Sequence, residues 1–230
     1  IARRQSSIYN QQSSIPMNSP DINLAAAMAR HQIELPPPQI ALLERYCELL
    51  WDWNAKINLT RHTDYEKFVA RDLIDSLAFA RFLSTKEQVL DVGAGGGVPG
   101  VVLAIVRDDL RISLSESVGK KARVLVEIVE QLGLQTPVLH ARAEDILIQQ
   151  RFNTLVVRAV ARLKKLLEWF RPHCKSFDRL LVLKGPSWLE ERGEARHYGL
   201  LHDLSLRKLT SYPLPGTESE SVLLQICPKA

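Results

Sequence analysis

Cysteine is scarce in this 230-residue chain: Cys47, Cys174 and Cys227 are all it carries, and they lie far apart. No Cys-x-x-Cys pair occurs, and no Cys/His cluster has the spacing of a zinc site. An odd, scattered set also argues against a disulfide framework, so the thiols are expected to be packing residues in a reducing cytosol. The six histidines are dispersed as well. His173 and Cys174 are neighbours, but two ligands do not make a site, and no metal is expected. No apolar run approaches the roughly 20 residues of a membrane helix, and no basic-then-apolar leader is present. A cytoplasmic protein without a membrane partner is expected.

A large charge imbalance is missing too. The net charge is +4, which an ordinary solvated surface can carry. Its distribution is uneven, because residues 107–184 hold 15 Lys/Arg against 9 Asp/Glu. That local excess favours a polyanionic partner. Hydrophobic content of 46% and charged content of 24% suit a globular chain with a core. The length suffices for one α/β domain and an accessory segment.

Residues 89–100, Val-Leu-Asp-Val-Gly-Ala-Gly-Gly-Gly-Val-Pro-Gly, are the most informative stretch. An apolar strand candidate ends at Asp91-Val92-Gly93. A loop with glycine at 93, 95, 96 and 97 follows, and the apolar run 101–106 reads as a helix. Glycine has no Cβ, so the loop can adopt positive φ and lie close to a ligand. The helix N-terminus adds unpaired N–H groups. Glu116 closes a second strand-like run, where a carboxylate can meet ribose hydroxyls. Two templates fit the loop. Gly95-x-Gly97-x-x-Gly100 matches the dinucleotide fingerprint. Asp91-x-Gly93-x-Gly95-x-Gly97 matches the S-adenosylmethionine loop. The second is favoured, since a carboxylate before the loop suits an ammonium and opposes a pyrophosphate. Both stay open on spacing alone.

Residues 1–20 are rich in Ser, Gln and Asn and poor in large apolar side chains, so disorder is expected there. Met17 is a candidate start. Residues 21–85 read as a helical cap. It comprises a short helix over 21–34 with Asp21 as N-cap, a break at Pro36-Pro37-Pro38, and two further helices. One runs from about Gln39 to Lys56, with Ile40, Leu43, Tyr46, Cys47, Leu50 and Trp51 on one face. The other covers 64–83. In residues 86–230, strand candidates at 88–92, 111–115, 136–140, 154–158 and 179–184 alternate with helices at 100–107, 119–133, 143–150, 163–172 and 187–198. Alternation predicts a parallel sheet covered on both faces. The runs 204–212 and 220–227 flank Pro213, Pro215 and Gly216 with no helix between, which predicts an antiparallel hairpin. The expected fold is α/β: a mostly parallel seven-stranded sheet with an antiparallel C-terminal hairpin and an N-terminal helical cap, as in Rossmann-like class I methyltransferases.

Further motifs follow one another in order. They are Asn58-Leu59-Thr60 after the long helix, Arg71 with Asp75 and Ser76, the loop 91–100 with its Pro99-Gly100 ending, and Glu116-Ser117-Val118-Gly119-Lys120-Lys121. Ala141-Arg142-Ala143-Glu144, Val157-Arg158-Ala159 and Leu183-Lys184-Gly185 complete the set. On these motifs the chain resembles the glucose-inhibited division protein B family, the bacterial 16S rRNA guanine-N7 methyltransferases, over roughly residues 40–227. Asp72 stands where that family usually has His, Glu116 where Asp is common, and Val157 where Ser is usual.

The resemblance implies methyl transfer from S-adenosylmethionine to N7 of a guanine in 16S rRNA, with the small ribosomal subunit as partner. A monomer is expected. Guanine N7 offers an in-plane lone pair and has no proton to lose, so no general base is required and none stands out. No Pro-Cys or Asn/Asp-Pro-Pro-Tyr/Phe loop follows the fourth strand candidate, against C5-pyrimidine or exocyclic-amine chemistry. Gly93, Gly95 and Gly97 would shape the backbone against the donor, with Val98 beside it. Asp91 would orient the donor's amino acid end or cap the loop. Glu116 would hold the ribose, and Ala143 and Glu144 would lie by the adenine. Arg158 would position donor or substrate, and Arg158→Ala is expected to lower methyl transfer with the fold intact. Asn58, Arg61, Lys120, Lys121, Arg123, Arg162, Lys164, Lys165 and Lys184 are the expected RNA-facing residues. The alternatives are a methyltransferase for another RNA or a small molecule, and a non-catalytic RNA-binding assembly factor.

Overall fold

The computed structural model describes residues 23–229. Asp21, Met17 and the expected disorder of residues 1–20 lie outside them. Helix α1 (Leu24–Arg30) is capped by Asn23, whose side chain accepts the Ala26 N–H at 2.7 Å. The cap is therefore Asn23 rather than Asp21. Helix α2 (Pro37–Asn54) opens on the proline triplet instead of after it. Proline leaves no unpaired N–H in a first turn, and its fixed φ suits that position. Where one α-helix is predicted over 64–83, α3 (Tyr65–Lys67), a π-helical segment (Phe68–Leu73) and α4 (Ile74–Ala80) follow without a break.

The sheet contains every predicted strand. The parallel strands are β1 (Gln88–Val92), β2 (Arg111–Ser115), β3 (Val138–Leu139), β4 (Phe152–Arg158) and β5 (Phe177–Lys184). The hairpin of β6 (Leu204–Pro213) and β7 (Glu220–Pro228) closes the sheet, with β7 antiparallel to β5. The order is β3-β2-β1-β4-β5-β7-β6. β3 is shorter than predicted, in keeping with Pro137, which has no N–H to donate to a ladder. Helices α5 (Gly100–Val106), α6 (Gly119–Gln131), α7 (Ala143–Gln149), α8 (Leu163–Phe170) and α9 (Trp188–His197) connect or flank the strands.

The cap shares its core with the sheet layer. Leu43, Tyr46, Leu50 and Phe68 of the cap belong to one buried apolar cluster with Val101, Leu103 and Leu125. Cys47 is buried in it, while Cys174 and Cys227 are half-buried. Strands β1 and β4 are neighbours, but the chain continues from β1 to β2 on one side and from β4 to β5 on the other. In open α/β sheets the crevice for a ligand lies at such a reversal, outside the carboxyl ends of the strands. Gly93 and Arg158 stand at those two ends.

Candidate active site

The loop after β1 needs its glycines. Gly93, Gly95 and Gly97 have φ of +66°, +58° and +105°, a region where a Cβ is disfavoured. Asp91 is 1% exposed, and its Oδ2 accepts the Gly100 N–H at 2.8 Å. Burial pushes its carboxyl up to about 7. Of the two roles expected for Asp91, this geometry supports the cap, here on the first residue of α5. Glu116 binds the loop from β2: Oε2 accepts the Gly95 N–H at 3.0 Å and Oε1 the Val118 N–H at 2.7 Å.

Two cavities adjoin at the carboxyl ends of β1 and β4. One, about 290 Å³, is walled by residues 93–96, Val98, Lys121 and the cap loop 59–62. The other, about 330 Å³, lies toward β5 and is walled by Arg71, Asp75, Val160, Lys184, Gly185 and Ser221 among others. His62, Arg158 and Ala159 line both. Ala159 has φ +55°, uncommon for a residue with a Cβ.

An ionic network underlies the shared wall. Arg158 donates from Nη2 to Asp72 Oδ1 at 2.6 Å and from Nε to Asp75 Oδ2 at 2.9 Å. Tyr212 of β6 donates its hydroxyl to Asp75 Oδ1 at 2.8 Å. His62 Nδ1 lies 2.9 and 3.0 Å from the two oxygens of Asp72. Burial raises the Asp75 carboxyl, and Arg158 offsets part of that rise. Burial disfavours the Arg158 charge, but Asp72 and Asp75 outweigh it and hold the guanidinium above its ordinary range.

The sequence profile described as "GidB: rRNA small subunit methyltransferase G" matches residues 39–212. The chain belongs to the GidB family. A ribosomal RNA small subunit methyltransferase G from Rhodopirellula baltica is 48% identical over 87% of this chain and 87% of its own length. One of the same name from a Roseiflexus species is 36% identical over 84% and 85%. In fold, the chain resembles the structure of M. capricolum TrmK with S-adenosylhomocysteine, at TM-score 0.54 and 11% identity over 67% of this chain and 68% of that one.

This GidB chain distributes its expected site residues unevenly. Gly93, Gly95, Val98 and Arg158 line the first cavity. Gly97 lies beneath the loop, where an added Cβ would stand 2.7 Å from Val101 Cγ2 and 3.2 Å from the Tyr46 hydroxyl. Glu116, Ala143 and Glu144 line neither cavity; Glu116 lies behind the loop, which it holds through Gly95. Glu144 is instead paired with Arg142 at 2.6 Å. Lys121 lines the first cavity and is half-buried.

Lys184 lines the second cavity but is not an outer-surface cation. Its side chain is 9% exposed and pairs with Glu191 at 2.7 Å, and it also donates to the Ala161 carbonyl. Burial works against the Glu191 carboxylate, yet bonds from Lys184 and the Leu163 N–H hold it below the ordinary range. Asn58 is exposed and is not the helix C-cap, which is Ala55. Asn54 holds the following loop by accepting the N–H groups of Leu59 and Thr60 at 2.8 and 3.0 Å. His62, Asp72 and Tyr212 are the residues that sequence reasoning did not place in the site. The Arg71–Ser76 motif carried a signal, since two acids three positions apart on a buried helix require a cation.

Proposed function

We propose that this chain transfers a methyl group from S-adenosylmethionine to N7 of a guanine in 16S rRNA, as a cytoplasmic monomer acting on the small ribosomal subunit. The observation that carries the reading is the pair of adjoining cavities meeting at Arg158 and Ala159, on the strand ends where such folds bind ligands. One suits the donor and the other a base.

The residues present fit the donor. Gly93 and Gly95 line the first cavity with bare backbone, and a Cβ at Gly95 would meet only the Gly93 carbonyl, at 3.7 Å; Glu116 retains acceptor capacity beyond its two backbone bonds. Gly93, Gly95 and Val98 would hold the amino acid end, Glu116 the ribose, and Ala143 and Glu144 the adenine. When bound, S-adenosylmethionine supplies a methyl made electrophilic by its sulfonium. The protein's contribution is to orient the acceptor nitrogen and exclude water, and such positioning can remove at most about 7–11 kcal/mol of barrier. Arg158, held by two carboxylates, fixes the wall between the cavities. Reaching N7 in folded RNA calls for an unstacked guanine.

The test is transfer of labelled methyl from S-adenosylmethionine to small subunits from cells lacking this protein, followed by nucleoside analysis. Label in 7-methylguanosine is expected. Donor binding without label in that nucleoside would redirect the reading to another RNA or a small molecule.

A further inference from the structure

We propose that His62 reads the acceptor guanine by accepting a hydrogen bond from its N2 amino group at Nε2. The assignment rests on the guanine-N7 reading above and deepens it.

His62 is fixed on three sides. Its backbone N–H donates to Thr60 Oγ1 at 3.0 Å, and its carbonyl accepts the Trp51 Nε1–H at 2.8 Å. The ring is gripped by Asp72, which is 2% exposed and itself clamped by Arg158. A carboxylate facing Nδ1 places the ring proton there and leaves the Nε2 lone pair as an acceptor in the neutral imidazole. Among the described residues Nε2 has no hydrogen-bond partner, and His62, its side chain 24% exposed, lines the wall common to both cavities.

The chemistry of the acceptor selects this kind of reader. Arginine, the usual partner of guanine, takes O6 and N7 together. That arrangement would occupy the lone pair that must receive the methyl. A reader compatible with N7 methylation has to use the opposite, Watson–Crick edge, where guanine presents N1–H and N2–H donors. Adenine has no amino group at C2 and presents an acceptor at N1. A fixed lone pair therefore accepts guanine and repels adenine, and in the neutral ring with its proton on Nδ1, Nε2 has none to donate to N7.

The test compares an rRNA fragment carrying the modified guanosine, mapped on wild-type product, with the same fragment carrying inosine there. Inosine keeps N7 and N1–H but lacks the amino group. Wild type is expected to lose about tenfold in kcat/KM on inosine, the size of one hydrogen bond. His62→Asn keeps an amide donor near the Nδ1 position, and so the tie to Asp72, but deletes Nε2. It is expected to keep the wild-type melting temperature and donor affinity, to lose about tenfold on guanosine, and to treat both fragments alike. Wild-type turnover by His62→Asn, or a full inosine penalty in it, would overturn the assignment alone. Absence of 7-methylguanosine from the wild-type reaction would overturn the underlying function and the assignment together. If His62→Asn fails to fold, His62→Gln, with an amide acceptor near Nε2, is expected to retain the inosine penalty that His62→Ala removes. Equal penalties in those two variants would overturn the assignment.

Discussion

Arg158 Nη2 and Asp72 Oδ1 stand 2.6 Å apart, with the two side chains 16% and 3% exposed. The pair joins the end of β4 to the π segment of the cap, and Asp75 extends it to Tyr212 of the hairpin. Site and fold are therefore one network. Sequence alone suggests that Arg158→Ala spares the fold. The buried pair changes that expectation, because truncation leaves two carboxylates without their cation. Unpairing a buried ion typically costs about 3–5 kcal/mol. Arg158→Ala should lower the denaturant midpoint by a corresponding amount as well as abolish methyl transfer. An unchanged midpoint would show that Asp72 and Asp75 do not depend on Arg158.

Gly100→Ala should destabilise the protein without touching a ligand-facing atom. The added Cβ would lie 2.2 Å from Leu114 Cδ2 and 2.6 Å from Asp91 Oδ2. Forcing carbon into a packed core costs about 1–3 kcal/mol. A melting temperature equal to that of wild type would refute the tight packing of α5 on β2.

Asp91 makes stability depend on pH. Its folded carboxyl, raised to about 7 by burial, holds a proton that an unfolded Asp with an ordinary value of 3.8 releases. The native state thus binds more protons between those values, and stability falls as pH rises through them. The contribution is fully present below the unfolded value and lost as pH passes the folded one. Asp91→Asn keeps an oxygen for the Gly100 N–H and removes the titration. Denaturant midpoints measured from pH 4 to pH 7 should fall less steeply in the variant, and identical slopes would refute the assignment.

The parts of this molecule legible in sequence are those encoded by neighbours in the chain. The glycine loop, Glu116 and the strand ends fall in this class. Strands β4 and β5 begin two residues before their predicted starts, at Phe152 and Phe177, which pair with each other. Asn153 and Asp178 are residue types depleted in strands, yet they bond across the two strands at 3.0 Å. The ionic network was not legible, because its partners are distant. His62 and Asp72 are 10 residues apart, Asp72 and Arg158 are 86, and Asp75 and Tyr212 are 137. Lys184 reads as a surface cation until Glu191 of α9 is seen folded back onto it.

Glu116 offers a test of the donor site. Both of its oxygens already accept backbone N–H groups, from Gly95 and Val118. In Glu116→Gln one acceptor becomes an amide N–H₂ facing a donor, so the loop and any ribose contact suffer together. A hydrogen bond to a charged group is worth about 1.5–3 kcal/mol. Calorimetric affinity for S-adenosylmethionine should drop by roughly 10–100-fold. Wild-type affinity would move the ribose contact elsewhere.

The basic residues expected to meet RNA divide by their partners. Arg162 pairs with Glu194 at 3.1 Å, Lys164 approaches the same carboxylate at 4.0 Å, and Lys165 pairs with Glu168 at 3.2 Å. Lys120 and Arg123 at the start of α6 are exposed and have no ion pair among the described residues. A cation without an intramolecular partner can release counterions from phosphate without first breaking a bond. The double variant Lys120→Ala/Arg123→Ala should therefore weaken rRNA binding and reduce the log–log salt slope by roughly 1–2, about 0.7–0.9 for each phosphate that is no longer neutralised. Arg162→Ala/Lys165→Ala should change the slope less, because Glu194 and Glu168 already neutralise those charges. Equal slopes for the two double variants would show that pairing does not decide which basic residues reach the phosphates.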